Sequence, residues 1–232
     1  MTRGAAAVKI LSTNGLRCAF RQLVPEFERA LGCRLEIHFD TTSVLERRIR
    51  GGESFEVTFL NQPVVDGLVQ HGKASSSLRK AVAQSGIGIV VRAGAPLPDI
   101  STVKALKQTL QDAQSVIYGK QGASDVYFAS LLERLELAEA LKPKTILQER
   151  GLIAEEVATG KVELGVQHIS ELLAVRGVAF VGPLPPDVQQ ITVFSACFGP
   201  RYTDQAIGRR FISFLSTAAV QARMRATGLE PL

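Results

Sequence analysis

Tryptophan is absent from this chain of 232 residues, and cysteine, histidine and tyrosine are each present only three times. The three thiols, Cys18, Cys33 and Cys197, make neither a disulfide framework nor a spaced metal site. Their odd number favours reduced thiols, the state kept in a reducing compartment. His38, His71 and His168 stand far apart, without metal-ligand spacing. No apolar run approaches the ~20 residues that cross a bilayer, so no membrane insertion is expected. Neither a phosphate-cradling G-x-x-x-x-G-K-[ST] nor a G-x-S-x-G elbow occurs. No metal and no cofactor is therefore expected.

What the chain does contain is the mixture of a packed globular protein, 46% hydrophobic and 21% charged. That length suits one large domain or two small lobes, each with its own core. The net charge is +5, with Lys and Arg scattered and no aromatic residues interleaved among them. Such a balance favours a small anionic ligand over nucleic acid, which is not expected as a partner. The opening Met-Thr-Arg-Gly-Ala-Ala-Ala carries no apolar stretch of a secretory signal. The expected location is the cytoplasm, or the periplasm where a signal has been removed.

Strand and helix signals alternate through the first part of the chain, the mark of a parallel sheet. Val8 to Leu11 is a short apolar run, and Leu16 to Leu31 places Phe20, Leu23, Val24 and Phe27 at helical spacing. Leu35 to Phe39 and Phe55 to Leu60 read as strands, each followed by a helix; Asn61-Gln62-Pro63 opens the second of these. Ser85 to Val91 reads as a long glycine-rich strand that crosses between lobes, and the Gly/Pro cluster at 93–98 marks a boundary. A second α/β unit follows, with strands at Ser115–Tyr118, Val162–Val166 and Val178–Val181 and helices near Val126–Leu135 and Ile153–Val157. Thr192 to Phe198 reads as a second crossing strand, and one amphipathic helix from about Asp204 to Ala226 closes the chain. The expected organisation is α/β, with residues 1–84 and 192–232 in a first lobe, residues 85–191 in a second, and a ligand cleft between them.

Three segments put small hydroxyl residues where a strand passes into a helix: Ser12-Thr13-Asn14-Gly15, Thr41-Thr42-Ser43 and Gly122-Ala123-Ser124. Helix starts offer free N–H groups and a positive dipole end to an anion. The same residues are also the preferred caps of any helix. It is the recurrence of the pattern that points to an anion site. Ser12, Thr13, Asn14, Thr42, Ser43, Gln62, Ala123, Ser124 and Gln167 are the candidate ligand-binding residues. His168, at the end of a strand, points toward the expected cleft.

These segments, with Leu45-Glu46-Arg47-Arg48-Ile49, Gly165 to Glu171 and Phe214 to Ala219, resemble the molybdate-binding components of ABC transporters along nearly the whole chain. The resemblance implies a type II periplasmic-binding fold, each lobe a mixed sheet flanked by helices, joined by two crossing strands. It implies that Ser12, Thr42 or Ser43, and the Ala123-Ser124 amides donate to an oxyanion. An ABC transporter permease is then the partner of an exported chain. Two departures move the expected ligand from molybdate toward a small carboxylate. No tyrosine stands in Val166-Gln167-His168, and Asn14 replaces a small residue.

The chain also looks like the branch of this family that contains aconitate isomerase. That branch implies a second function: shifting a double bond in a small polycarboxylate by taking a proton and returning it elsewhere. His168 or Tyr118 would carry the proton. A sensing domain is a third use of the fold, but no DNA-binding segment is attached.

Overall fold

The computed structural model describes residues 7–149, 151–202 and 205–232. Residues 1–6, Arg150 and the expected helix start at Asp204 lie outside the described residues.

Strand β1 (Val8–Thr13) passes through a 3-10 turn at Asn14–Leu16 into α1 (Arg17–Leu31). Then come β2 (Leu35–Asp40), α2 (Thr42–Arg50), β3 (Val57–Asn61), α3 (Gln62–Gln70) and β4 (Ser75–Ser85). The middle of the chain holds β5 (Ile87–Arg92), α4 (Val103–Asp112), β6 (Val116–Gly119), α5 (Ala123–Arg134) and α6 (Ala138–Leu141). It continues with β7 (Thr145–Gln148), α7 (Ala154–Ala158), β8 (Leu164–His168), α8 (Ile169–Leu172) and β9 (Val178–Pro183). The end is β10 (Thr192–Phe198), α9 (Gln205–Leu215), α10 (Ala218–Ala226) and a short β11 (Glu230–Pro231).

The chain divides into two compact units, Met1–Gln84 with Val193–Leu232, and Ser85–Thr192. In the first, six strands run in the order β11-β4-β10-β3-β1-β2. Alternating side chains send Ile10 to one face and Leu11 to the other. Phe20 and Phe27 of α1, Phe211 of α9 and Met224 of α10 cover the face of Ile10, while Leu45 and Ile49 of α2 and Val65 and Leu68 of α3 cover that of Leu11. The rings of Phe20, Phe27 and Phe59 all pack around Phe211, with centroids 5.8, 4.2 and 5.4 Å away. The C-terminal segment thus completes the first core.

In the second unit, five strands run in the order β7-β6-β8-β5-β9. Leu106 and Leu110 of α4 and Phe128 and Leu131 of α5 pack on the face carrying Val116 and Val166. Ile153, which caps α7, Val157 of α7 and Leu172 of α8 pack on the face of Ile117.

Four sequence expectations change. The strand expected from Ser85 to Val91 is interrupted at Gly86, with β4 and β5 belonging to different sheets. The single closing helix is two, because Ser216 Oγ and Thr217 Oγ1 donate to the carbonyls of Ile212 and Phe214 at 3.2 and 2.9 Å, a local alternative to continued helix. The strand expected at Val162–Val166 begins two residues later, at Leu164, and ends at His168, where the sequence places a strand end. Finally, α4 and the edge strand β7 were not read from the sequence. Thr102 begins the former by accepting the Ala105 N–H at 3.1 Å.

Candidate functional site

In the first unit β1 lies between β2 and β3, and all three are parallel. The chain therefore turns to one side of β1 and then to the other, and ligands in open α/β sheets bind beyond the strand ends at such a reversal. Ser12, Thr13 and Asn14 leave the end of β1 there, and Asn61 and Gln62 leave the end of β3. Ser12 and Thr13 are buried, and Ser12 Oγ donates to the Thr13 carbonyl at 3.3 Å. Thr42 reaches across from α2, its hydroxyl donating to Asn61 Oδ1 at 3.0 Å. Asn14 Oδ1 is buried without a hydrogen-bond partner. Residue 15 is glycine where the chain packs against the buried Phe194 ring: a Cβ there would stand 2.6 Å from Cζ.

Ordinary capping accounts for part of the second hydroxyl segment. Thr41 Oγ1 accepts the Val44 N–H at 3.4 Å and lies 3.2 Å from Ser43 Oγ. Ser43 and Gln62 are both exposed.

The second unit repeats the arrangement. Strand β6 lies between β7 and β8, again all parallel, so the ends of β6 and β8 flank the reversal. Here Gly119 and Gly122 lead into α5 with Ala123 and Ser124, and Gln167 and His168 lead into α8. The carboxylate of Asp125 is buried, accepting the N–H groups of Gly119 at 3.1 Å and Gly122 at 2.7 Å. Ser124 Oγ lies 3.4 Å from the same carboxylate. Burial pushes the Asp125 carboxyl above its ordinary range, and the Glu171 carboxylate adds to that. The glycine N–H groups and the His168 ring pull the other way. The first amides of the helix, those of Ala123 and Ser124, have no intrahelical acceptor.

His168 is buried, with Nε2 2.9 Å from Thr192 Oγ1 and Nδ1 3.4 Å from Glu171 Oε1. Immediately after it, the Ile169 N–H donates to the Gly86 carbonyl at 2.9 Å and the Ser170 N–H to Ser85 Oγ at 3.3 Å. Gln167 and Ser170 are 6% and 2% exposed, and neither Gln167 Oε1 nor Ser170 Oγ has a partner. Burying such an atom costs free energy unless something meets it.

The remaining candidate stands apart. Tyr118 faces α5, its ring 5.2 Å from that of Phe128, and borders a cavity of about 300 Å³ with Glu133, Lys142 and Thr145. Burial first, then the carboxylates of Asp125 and Glu133, raise its phenol above the ordinary value, which opposes proton transfer near neutral pH. His38 pairs with Glu36 at 2.7 Å and His71 Nδ1 lies 2.6 Å from the Gly67 carbonyl; both are surface contacts. Arg17 lies over the Phe39 ring at 5.4 Å, and Arg79 pairs with Asp66 at 3.0 Å.

Sequence reasoning missed Asp125, Glu171, Thr192, Ser85, Ser170 and Asn61. Two of them left a signal. Glu171 follows His168 by one helical turn, and Asp125 follows Gly122 at the spacing of a reciprocal cap. Thr192 left none, since it meets His168 across 24 residues.

Among the described residues, no cluster of three or more His, Cys, Asp or Glu is arranged to hold a metal ion, and no helix is long and apolar enough to cross a membrane.

Comparison with known proteins places the whole chain in a wider group. The periplasmic molybdate-binding protein of Azotobacter vinelandii is similar with a TM-score of 0.78 at 16% identity, over 96% of this chain and 98% of that one. The sulfate-binding protein of Mycobacterium tuberculosis is similar with a TM-score of 0.75 at 15% identity, over 98% of this chain and 87% of that one. Both likenesses show the fold, a periplasmic-binding-type α/β architecture of two sheets flanked by helices. By sequence, an aconitate isomerase from a Pseudomonas species is 32% identical over 229 residues, 96% of this chain and 87% of that protein. The family model described as bacterial extracellular solute-binding protein matches residues 8–230. The chain belongs to this bacterial extracellular solute-binding protein family.

Proposed function

We propose that the chain binds a small anion, a carboxylate in preference to a compact oxyanion, at the strand ends of its two units. Ser12, Thr13, Asn14, Thr42, Ser43 and Gln62 would serve from the first, and Ala123, Ser124 and Gln167 from the second. The observation that carries this reading is the pair of orphaned buried amide oxygens, Asn14 Oδ1 and Gln167 Oε1, each at the end of a strand bordering a chain reversal. A half-turn of either amide presents its NH₂ group instead, a donor for a carboxylate. Within each unit, one such amide offers a directed hydrogen bond of the kind a carboxylate oxygen accepts. Two relatives named for molybdate and sulfate binding support an anionic ligand. In the receptor role the partner is an ABC transporter permease and the place of action the periplasm.

Calorimetric titration with cis-aconitate, trans-aconitate, molybdate, tungstate and sulfate tests the reading. Saturable binding of a carboxylate is expected, weakened in Ser12→Ala and Gln167→Ala variants. Failure of all five ligands to bind rejects it.

A second reading is favoured by the whole-length identity to an aconitate isomerase, at twice the identity of the molybdate-binding relative. In this reading the bound polycarboxylate is also isomerised, and His168 carries the proton. Incubation with trans-aconitate, followed by proton NMR, is expected to show conversion to the cis isomer. Binding without conversion leaves only the receptor.

A further inference from the structure

We infer that Thr192, His168 and Glu171 form a hydroxyl–imidazole–carboxylate relay that moves the proton in the isomerase reading, on which this inference rests. The three residues come from the start of β10, the end of β8 and the first turn of α8, and all are buried. Nε2 of the ring lies 2.9 Å from Thr192 Oγ1 and Nδ1 lies 3.4 Å from Glu171 Oε1. A histidine with a merely structural duty needs a partner for one N–H. This ring has an acceptor on one side and a hydroxyl on the other.

The order of the groups sets the direction of proton flow. A carboxylate beside Nδ1 keeps the proton on that nitrogen, which leaves the Nε2 lone pair facing Thr192. The threonine hydroxyl then donates to Nε2 and still has oxygen lone pairs to offer. His168 therefore reaches a ligand through Thr192 and not directly. The carboxylate beside the ring is that of Glu171 from α8, 3.4 Å from Nδ1, where it orients the imidazole.

The step balances without an oxidant or reductant. A C–H bond at the methylene of the polycarboxylate breaks, and its electron pair joins the neighbouring double bond as an allylic carbanion. The proton goes to Thr192 Oγ1 as the hydroxyl proton passes to His168 Nε2. On return, a proton from Thr192 bonds to the far carbon of the allylic system, the double bond shifts, and Nε2 gives its proton back to the hydroxyl. Thr192 would act on the ligand, whereas Glu171 is a positioning residue.

The test uses the unsubstituted chain and its Thr192→Val, Thr192→Ser and Glu171→Gln variants with trans-aconitate in D₂O. Proton NMR reads interconversion and deuterium uptake at the methylene, and calorimetry reads aconitate binding. Thr192→Val and Glu171→Gln are expected to lose about 100-fold or more in kcat, the usual contribution of acid–base catalysis. Their aconitate affinity should stay within about threefold, and Thr192→Ser should keep most of the rate, because serine restores the hydroxyl. Should Thr192→Val not fold, Glu171→Gln carries the same expectation. Unchanged rates in the Thr192→Val and Glu171→Gln variants overturn the relay and leave the isomerase standing. So does a loss of binding in parallel with rate, which marks the residues as wall. An unsubstituted chain that binds aconitate but neither converts nor deuterates it overturns the isomerase reading and the relay together.

Discussion

The carboxylate of Asp125 fills the space that a side chain at residue 119 would need: a Cβ on Gly119 would stand 2.2 Å from Asp125 Oδ2. The same carboxylate accepts the Gly119 N–H at 3.1 Å, so glycine and acid are matched in both shape and polarity.

Gly119→Ala should therefore destabilise the protein by about 1–3 kcal/mol, the usual cost of overpacking a buried site. Urea unfolding measures it. In the double variant with Asp125→Ala the second change should cost less than it does alone, since the first has already displaced the carboxylate. Strict additivity would show that the two residues do not share this space.

Gln167→Met removes a buried polar atom that has no partner while keeping the side chain's length. Stability should hold or rise slightly, by up to about 1 kcal/mol. Affinity for the anion should fall about tenfold or more, the effect of losing one hydrogen bond to a charged group. Melting curves and calorimetry on the same sample separate the two. Unaltered affinity would remove Gln167 from the site.

Opposite pH slopes are expected from two carboxylates. Arg48, which pairs with Glu53 at 2.6 Å, and then Lys9 hold Glu53 down from 4.5 to about 2 despite some burial. Its folded pKa is lowered, so its contribution is present above 4.5 and is lost as pH falls through about 2. Asp125 is raised chiefly by burial. Its contribution is full below the unfolded value and is lost as pH rises through the folded one. Urea midpoints across the acid range should thus lose part of their acid-side fall in Glu53→Gln, by about 1 kcal/mol for a part-exposed pair. Asp125→Asn should flatten the opposing decline toward neutral pH.

Phe211→Ala should cost about 3–5 kcal/mol, as expected for a buried ring removed from a close-packed core. Phe211 is 1% exposed and touches three other rings, so little can collapse into the gap. Its unfolding midpoint in urea reports the loss. A cost below about 1 kcal/mol would mean that the C-terminal segment does not complete the first core.

The sequence by itself determined the alternation of strands and helices, because hydrophobic period and capping residues act within a few positions of one another. Phe20, Leu23 and Phe27 announced their helix, and Ser12 to Gly15 and Thr41 to Ser43 announced where strands give way to helices. The break at Gly86 was not legible, because the apolar run through it is continuous and only the assignment of its two halves to different sheets divides it. Nor was the second unit's polar cluster. Tyr118 carried the same promise as His168 in the sequence, yet the alternation of β6 turns it toward Phe128. Only the tertiary structure decided that Asp125, Glu171 and Thr192 gather about His168, through contacts across up to 24 residues for the nearest hydroxyl. Side-chain partners at such separations are set by strand order, and strand order comes from the packing of whole faces.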